Sequence, residues 1–314
     1  MRVCRFVIFV FMSAAPVMAA TRVFVSSTGM DTDGCPITAP CRSFSYAMTQ
    51  VAAGGEIIAL DTAGYGTFTV GQAVSVFAAP GATAFIAVPS GTGISVSAGP
   101  MDKIVLRNLA LSGTGGTIGI DFPGGQSLSI ENCIINGFSS IGVQMFRSGD
   151  TTDPNLAIEN TTIRNNGAGV YTADFDPSAR HNLSVAKSSI SENGLGLDVS
   201  DTTHGAATDS VVSGNSNIGV QSWTGHDNTG PDFTLERCTI AQNGTGISAG
   251  FSMMVGGPSR GILRIAHNQI FGNNLGVYEY ADGKIMTLTT NGIVTNTIEG
   301  NVTNGTFSGS YAAK

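Results

Sequence analysis

The chain has 314 residues, 15 basic against 22 acidic side chains for a formal charge of −7, 42 glycines, and 12% charged residues. An acidic chain with no Lys/Arg cluster is a poor match for nucleic acid or an anionic membrane surface, so neither is expected as a partner. Abundant glycine with little charge implies many tight corners and few solvated helical faces.

Residues 1–20 read as an export signal. Arg2 and Arg5 precede the apolar run Phe6 to Met12, and small residues ending in Ala19-Ala20 form the exit. That run is far short of the roughly 20 residues a membrane span needs, and no later stretch supplies one. The mature chain is expected outside the cytoplasm, periplasmic or secreted, without membrane insertion.

Residues 21–56 form an N-terminal unit. Arg22 to Val25 reads as a strand. Cys35 and Cys41 lie in a turn-rich stretch of an exported chain, so a local disulfide is the first reading. Phe44, Ala47, Met48 and Val51 fall at i, i+3, i+4 and i+7, with Ser43 before them and Gly54-Gly55 after. This spacing predicts a helix over Ser43 to Ala52 that caps an open end.

Residues 57–305 are a repeat. Early strands are expected around Ile57, Val74, Ile94 and Ile104. From Leu128 each copy holds an alternating apolar segment, an aliphatic, an asparagine and then Gly plus an aliphatic. The marker glycines Gly142, Gly169, Gly196, Gly219, Gly246 and Gly276 are spaced 27, 27, 23, 27 and 30 residues apart. Three short strands per copy, too short and glycine-rich for helices, describe one coil of a parallel β-helix. The fold class is therefore all-β: a single-domain right-handed parallel β-helix of about ten coils with a short N-terminal capping helix. Asn136, Asn165, Asn193, Asn215, Asn243, Asn273 and Asn301 suggest a stacked asparagine ladder at one corner. Cys133 and Cys238 sit four copies apart, ~19 Å at the interstrand distance, too far to bridge, and read as buried thiols. Residues 306–314 are left as a tail.

Polar segments follow each Gly-aliphatic strand and are read as loops that line up on one side of the stack. They carry Tyr171, Asp174, Asp198, Asp201, His204, Trp223, His226 and Asp227, the expected ligand-binding set, with Arg147, Asp150 and Asp153 one copy earlier. Aromatic rings there suit sugar stacking, the carboxylates suit hydroxyls or calcium, and His204 or His226 suits a base. No motif requires a cofactor, and calcium is compatible with the carboxylates. Nothing in the spacing holds His181, His204 and His226 at metal-ligand distance.

The chain resembles the right-handed parallel β-helix proteins of the pectin-lyase-like superfamily. More narrowly, Arg22-Val23-Phe24-Val25-Ser26-Ser27, the Cys35 to Cys41 loop with Arg42-Ser43-Phe44, Gly54-Gly55 and Leu60-Asp61 with Gly64-Tyr65-Gly66 look like an exported bacterial group of β-helix repeat proteins. The resemblance implies fold and export but no catalytic set. Of the motifs in polygalacturonase-like hydrolases, only His204-Gly205 and two positions of Arg264-Ile265-Ala266 are present, without the paired carboxylates that glycosidic hydrolysis needs. Two readings stay open: an exported protein that binds or acts on an extended polysaccharide through one loop-bearing face, as a lyase, a hydrolase or a plain binder, or a non-enzymatic structural or surface-interaction protein using the β-helix as a rigid scaffold.

Overall fold

The computed structural model describes residues 20–147, 152–174, 180–224, 230–250, 260–280, 282–290 and 293–312. Residues 1–19 of the signal segment, Asp150, His226 and Asp227 lie outside them.

Each copy of the repeat gives one strand to each of three sheets. In the copy from residue 127 these are Ser127–Glu131 in sheet A, Ile134–Asn136 in sheet B and Ile141–Arg147 in sheet C. Successive copies pair in parallel, building sheets of 13, 10 and 9 strands. The result is a parallel β-helix of about ten coils.

Register puts like on like. In sheet A, Ile130, Ile158 and Val185 stack on one another, as do Leu128, Leu156 and Leu183. Alternation sends these side chains inward, and they are essentially fully buried. No coil could bury this face alone, so stability comes from contact between neighbours.

The turns explain the non-aliphatic part of the repeat. Between sheets A and B, one residue per coil adopts left-handed backbone: Asn108, Asn132, Asn160, Lys187, Asp209, Arg237 and His267, with φ between 48° and 57°. The following residue points inward. There the Thr161 hydroxyl accepts from Cys133 N at 3.2 Å, Ser188 from Thr161 N, and Ser210 from Ser188 N. Cys133 and Cys238 are buried free thiols in this row, each donating to main-chain carbonyls.

At the corner between sheets B and C the asparagine ladder is present with two members changed. Each Nδ2 donates to the next Oδ1, from Asn166 through Asn193, Asn215, Asn243 and Asn273 to Asn301, at 2.8–3.1 Å. Asn165 is not in it: its φ of 55° turns the side chain outward, where it donates to Asn136 at 2.9 Å. Asn166, its neighbour, is the buried member, and one coil earlier Phe138 takes the place, its N–H donating to Asn166 Oδ1.

The cap helix spans Phe44–Gln50, shorter than the spacing predicts. Val51 is already extended (φ −81°, ψ 140°) and opens the sheet A strand Val51–Ala59. The Ser43 hydroxyl caps the helix by accepting from Tyr46 N, and Asp31 accepts from Ser43 and from Arg42 N. Buried Phe44 packs on Tyr65 and Phe68, with ring centroids 5.1 Å apart in both pairs. Asp61 clamps this end, accepting from Ser27 N at 3.0 Å, the Ser27 hydroxyl and the Tyr65 hydroxyl.

Cys35 and Cys41 form the expected disulfide. Their loop lies against the first sheet A strand, Ala20–Val25: Phe24 N donates to Cys35 O, and Cys41 N to Phe24 O. At the far end, Ile293–Val294 turns back antiparallel on Lys284–Thr290. Gly309–Ala312, within the segment read as a tail, adds a parallel strand to the same partner.

Candidate functional site

The residues read as loop-borne sit mostly on strands. Tyr171 and Asp174 belong to the sheet C strand Ala168–Asp174, Asp198 to Leu195–Ser200 and Trp223 to Ile218–Trp223. His204 lies in the sheet A strand Thr203–Thr208, and among the described members of the set only Asp201 occupies a connection between strands. The apolar alternation that marks a strand in sequence stops at Val170, but that strand continues with Thr172 and Asp174 pointing inward.

Asp174 is one of these. It shares the inward face with Val170 and Thr172 and lies 2.9 Å from His181 Nε2, both side chains fully buried. Arg147, in register with Asp174, is also inside; it donates to Gly125 O at 2.7 Å and stacks 4.4 Å from the Phe122 ring centroid. Thr203 and Thr172 join hydroxyls at 3.0 Å beside them. These groups form a polar plug inside the coil.

Tyr171, Asp198 and Trp223 share the outer face of sheet C. Tyr171 is in register with Asp198, and Asp198 with Gln221. Trp223, two residues beyond Gln221, donates from Nε1 to Asp198 Oδ1 at 2.7 Å. Asp201 accepts from the hydroxyls of Ser200 and Thr224. Burial pushes the Asp198 carboxyl up to about 6; the negative charge of Asp201 adds to this and the Trp223 hydrogen bond opposes it. Burial, then the charges of Asp198 and Asp201, push the Tyr171 hydroxyl up to about 12.

His204 is apart from them, on the outer face of sheet A between Asn182 and Asp232. Partial burial, then the charge of Arg180, hold its imidazole below the usual range. Its companion Gly205 has a structural cause: φ is 144°, and a Cβ there would lie 1.8 Å from Leu183 O. The His-Gly pair therefore needs no catalytic explanation.

The outer row of sheet C extends well past the expected residues. It runs in register from Thr69 through Ser95, Asp121, Gln144 and Tyr171 to Asp198, and on through Gln221 and Ser248 to Tyr278. Tyr278 and Tyr280, absent from the sequence-based set, form an exposed pair with ring centroids 6.0 Å apart. Their signal was available: they follow Gly276-Val277 as Tyr171 follows Gly169-Val170. At the opposite end a cavity of about 690 Å³ opens between the cap helix and the first sheet C strands, lined by Ser45, Thr67, Phe68, Thr69, Gln72 and Ser95 among others.

Comparison with known proteins agrees with this architecture. The family profile described as "Right handed beta helix region" matches residues 67–205, and that described as "Periplasmic copper-binding protein (NosD)" matches residues 152–312, just over half of the chain. A search of curated protein sequences finds no match. Among solved structures, an alginate lyase from Paenibacillus sp. str. FPU-7 superposes with a TM-score of 0.58 at 12% identity, over 90% of this chain and 97% of that one. The pectate lyase Pel9A gives 0.53 at 14% identity, over 84% and 77%.

The described residues do not fit a copper centre. Among them no group of three or more His, Cys, Asp and Glu side chains is placed to hold a metal ion. His181 faces Asp174 in the interior, and the thiols of Cys133 and Cys238 are buried four coils apart, both pushed up by that burial. With its coils, its corner ladder and the profile match over its C-terminal half, the chain belongs to the NosD family of right-handed parallel β-helix proteins, within the pectin-lyase-like superfamily.

Proposed function

We propose that this is an extracytoplasmic protein that binds an extended polysaccharide across the outer face of sheet C. The observation that carries the reading is the lone tryptophan, Trp223, held by its indole N–H on the buried carboxylate of Asp198 with Tyr171 alongside. A buried carboxylate costs stability, and such groups concentrate at functional sites. It acts as a positioning residue: it fixes the indole plane, and a fixed aromatic plane is what a sugar ring needs to stack on. The coil repeat spaces the outward side chains of sheet C at the interstrand distance, an arrangement suited to a repeating polymer.

The likeness in fold to lyases of pectate and alginate supports a carbohydrate ligand. The basic, apolar and small-residue segments of residues 1–20 and the periplasmic family support export. Bond cleavage is not part of the proposal, since Asp174 and His204 lie away from the Trp223 face. The test is affinity electrophoresis and Trp223 fluorescence against a panel of neutral and acidic polysaccharides, with and without calcium. Retardation by at least one polymer, abolished in Trp223→Ala, is expected. Absence of binding across the whole panel refutes the reading and favours a rigid scaffold.

A further inference from the structure

The charged side chains of this solenoid are not spread evenly. The exposed ion pairs of the described residues, Arg22–Glu56, Arg107–Glu131, Lys187–Glu159, Arg237 with Asp209 and Glu236, and Arg264–Asp232, all lie on sheet A or its turn into sheet B. Sheet C holds a single basic residue among its described strands, Arg147, and that side chain is buried in the interior. The outer row from Thr69 to Tyr278 carries two carboxylates, Asp121 and Asp198, and otherwise neutral groups. The cavity beside the cap helix, on the same face, is also lined without a charged side chain.

A polyuronide carries a carboxylate on every sugar. Among the described outward residues of sheet C it would meet no cation and two carboxylates, in a protein whose formal charge is −7. An uncharged glycan meets hydroxyls, amides and aromatic planes instead. Tyr278 and Tyr280 add the decisive feature. They are 42% and 37% exposed and stand edge to face; Tyr278 lies on the last sheet C strand, Leu275–Glu279, in register through Ser248 with Gln221 two strands earlier, and Tyr280 follows just past the strand end, as Trp223 follows Gln221 by two residues. Two interstrand spacings put the tyrosine pair ~10 Å along the axis from Trp223.

Resting on the polysaccharide reading above, we infer that the ligand is an uncharged glycan and that Tyr278 and Tyr280 form a second stacking subsite for it, in line with Trp223. The pair supplies flat apolar surface with hydroxyl edges, so it recognises sugar C–H faces without a counter-charge. A bound chain crosses both subsites, and an oligosaccharide too short to span ~10 Å engages one.

The test measures affinity of the full mature protein for neutral gluco- and manno-oligosaccharides of increasing length and for oligogalacturonate and alginate oligomers, at fixed ionic strength, with and without calcium. Neutral oligomers should bind at least tenfold more tightly than acidic ones under both conditions. Affinity for the longer oligomers should fall at least tenfold in Tyr278→Ala/Tyr280→Ala and survive in Tyr278→Phe/Tyr280→Phe, with the unfolding midpoint of both variants near wild type. If the alanine variant is destabilised, Tyr280→Lys alone should shift preference toward the acidic oligomers. Acidic oligomers binding as well as neutral ones, or no affinity change on loss of both rings, overturns the inference while leaving the polysaccharide reading intact. No binding to any oligomer removes that reading first.

Discussion

Replacing Asp198 by asparagine should stabilise the protein, and only above a defined pH. The carboxyl sits at about 6 in the fold against 3.8 for an ordinary aspartate. A raised folded value means the native state holds the proton more tightly than the open chain does. The cost is therefore absent below about pH 3.8, grows as pH rises to about 6, and is complete above that. At 1.36 kcal/mol per tenfold, the difference amounts to about 3 kcal/mol. A carboxamide at this position has no charge to desolvate and keeps a carbonyl oxygen for the Trp223 indole, which donates to Oδ1 at 2.7 Å. Asp198→Asn should thus match wild type at pH 4 and exceed it by about 2–3 kcal/mol at pH 8. Denaturant unfolding followed by the fluorescence of the single tryptophan measures both, since every other titrating group is common to the two proteins. In wild type, native fluorescence should also titrate near pH 6 as the charge-assisted hydrogen bond is lost, and the variant should show no such step. A stability gap that is equal at pH 4 and pH 8, or larger at pH 4, refutes the reasoning.

Asn215→Ala removes a fully buried ladder member that accepts from Asn193 and donates to Ile190 O and Asn243 Oδ1. The orphaned groups should cost about 3 kcal/mol in chemical denaturation, whereas Asn165→Ala, in the exposed pair, should cost under about 1 kcal/mol. Gly205→Ala should lose about 2–3 kcal/mol or fail to accumulate, because positive φ and the Leu183 carbonyl both exclude a side chain; a neutral result would show the backbone there to be free. Cys35→Ala/Cys41→Ala should lower stability by about 2 kcal/mol, the entropy of a short loop, and a reductant should change the melting point of wild type but not of this variant.

Coil architecture was legible because the period-two apolar pattern and the glycine interval both survive in the sequence. Corner chemistry was half legible. Asparagine marks two different jobs here, left-handed turn residue and buried ladder rung, and where Asn165 and Asn166 adjoin, sequence cannot say which does which. The candidate side chains were assigned the wrong support. Thr172 and Asp174 point into the helix, where a strand is expected to be apolar, so the strand looked finished and its end looked like a loop. That same inward turn removed Asp174 from the solvent side, and placement on sheet A separated His204 from Trp223. Asp61, the acceptor for Ser27 N and the Tyr65 hydroxyl, clamps the capped end, which gives Leu60-Asp61 and Gly64-Tyr65-Gly66 a structural role.

The disulfide loop at the first coil has a consequence for assembly. A stack of parallel strands ends in a row of unpaired main-chain groups that any identical stack could extend. Here Phe24 spends its N–H and its carbonyl on Cys35 and Cys41, so the loop occupies the docking edge of sheet A. At the other end, Ile293–Val294 turns back antiparallel on Lys284–Thr290 and the short strand Gly309–Ala312 covers the rest of that edge. One covalent bond between residues six apart thus closes the loop that covers this edge, and reduction loosens the cover without removing its main-chain hydrogen bonds.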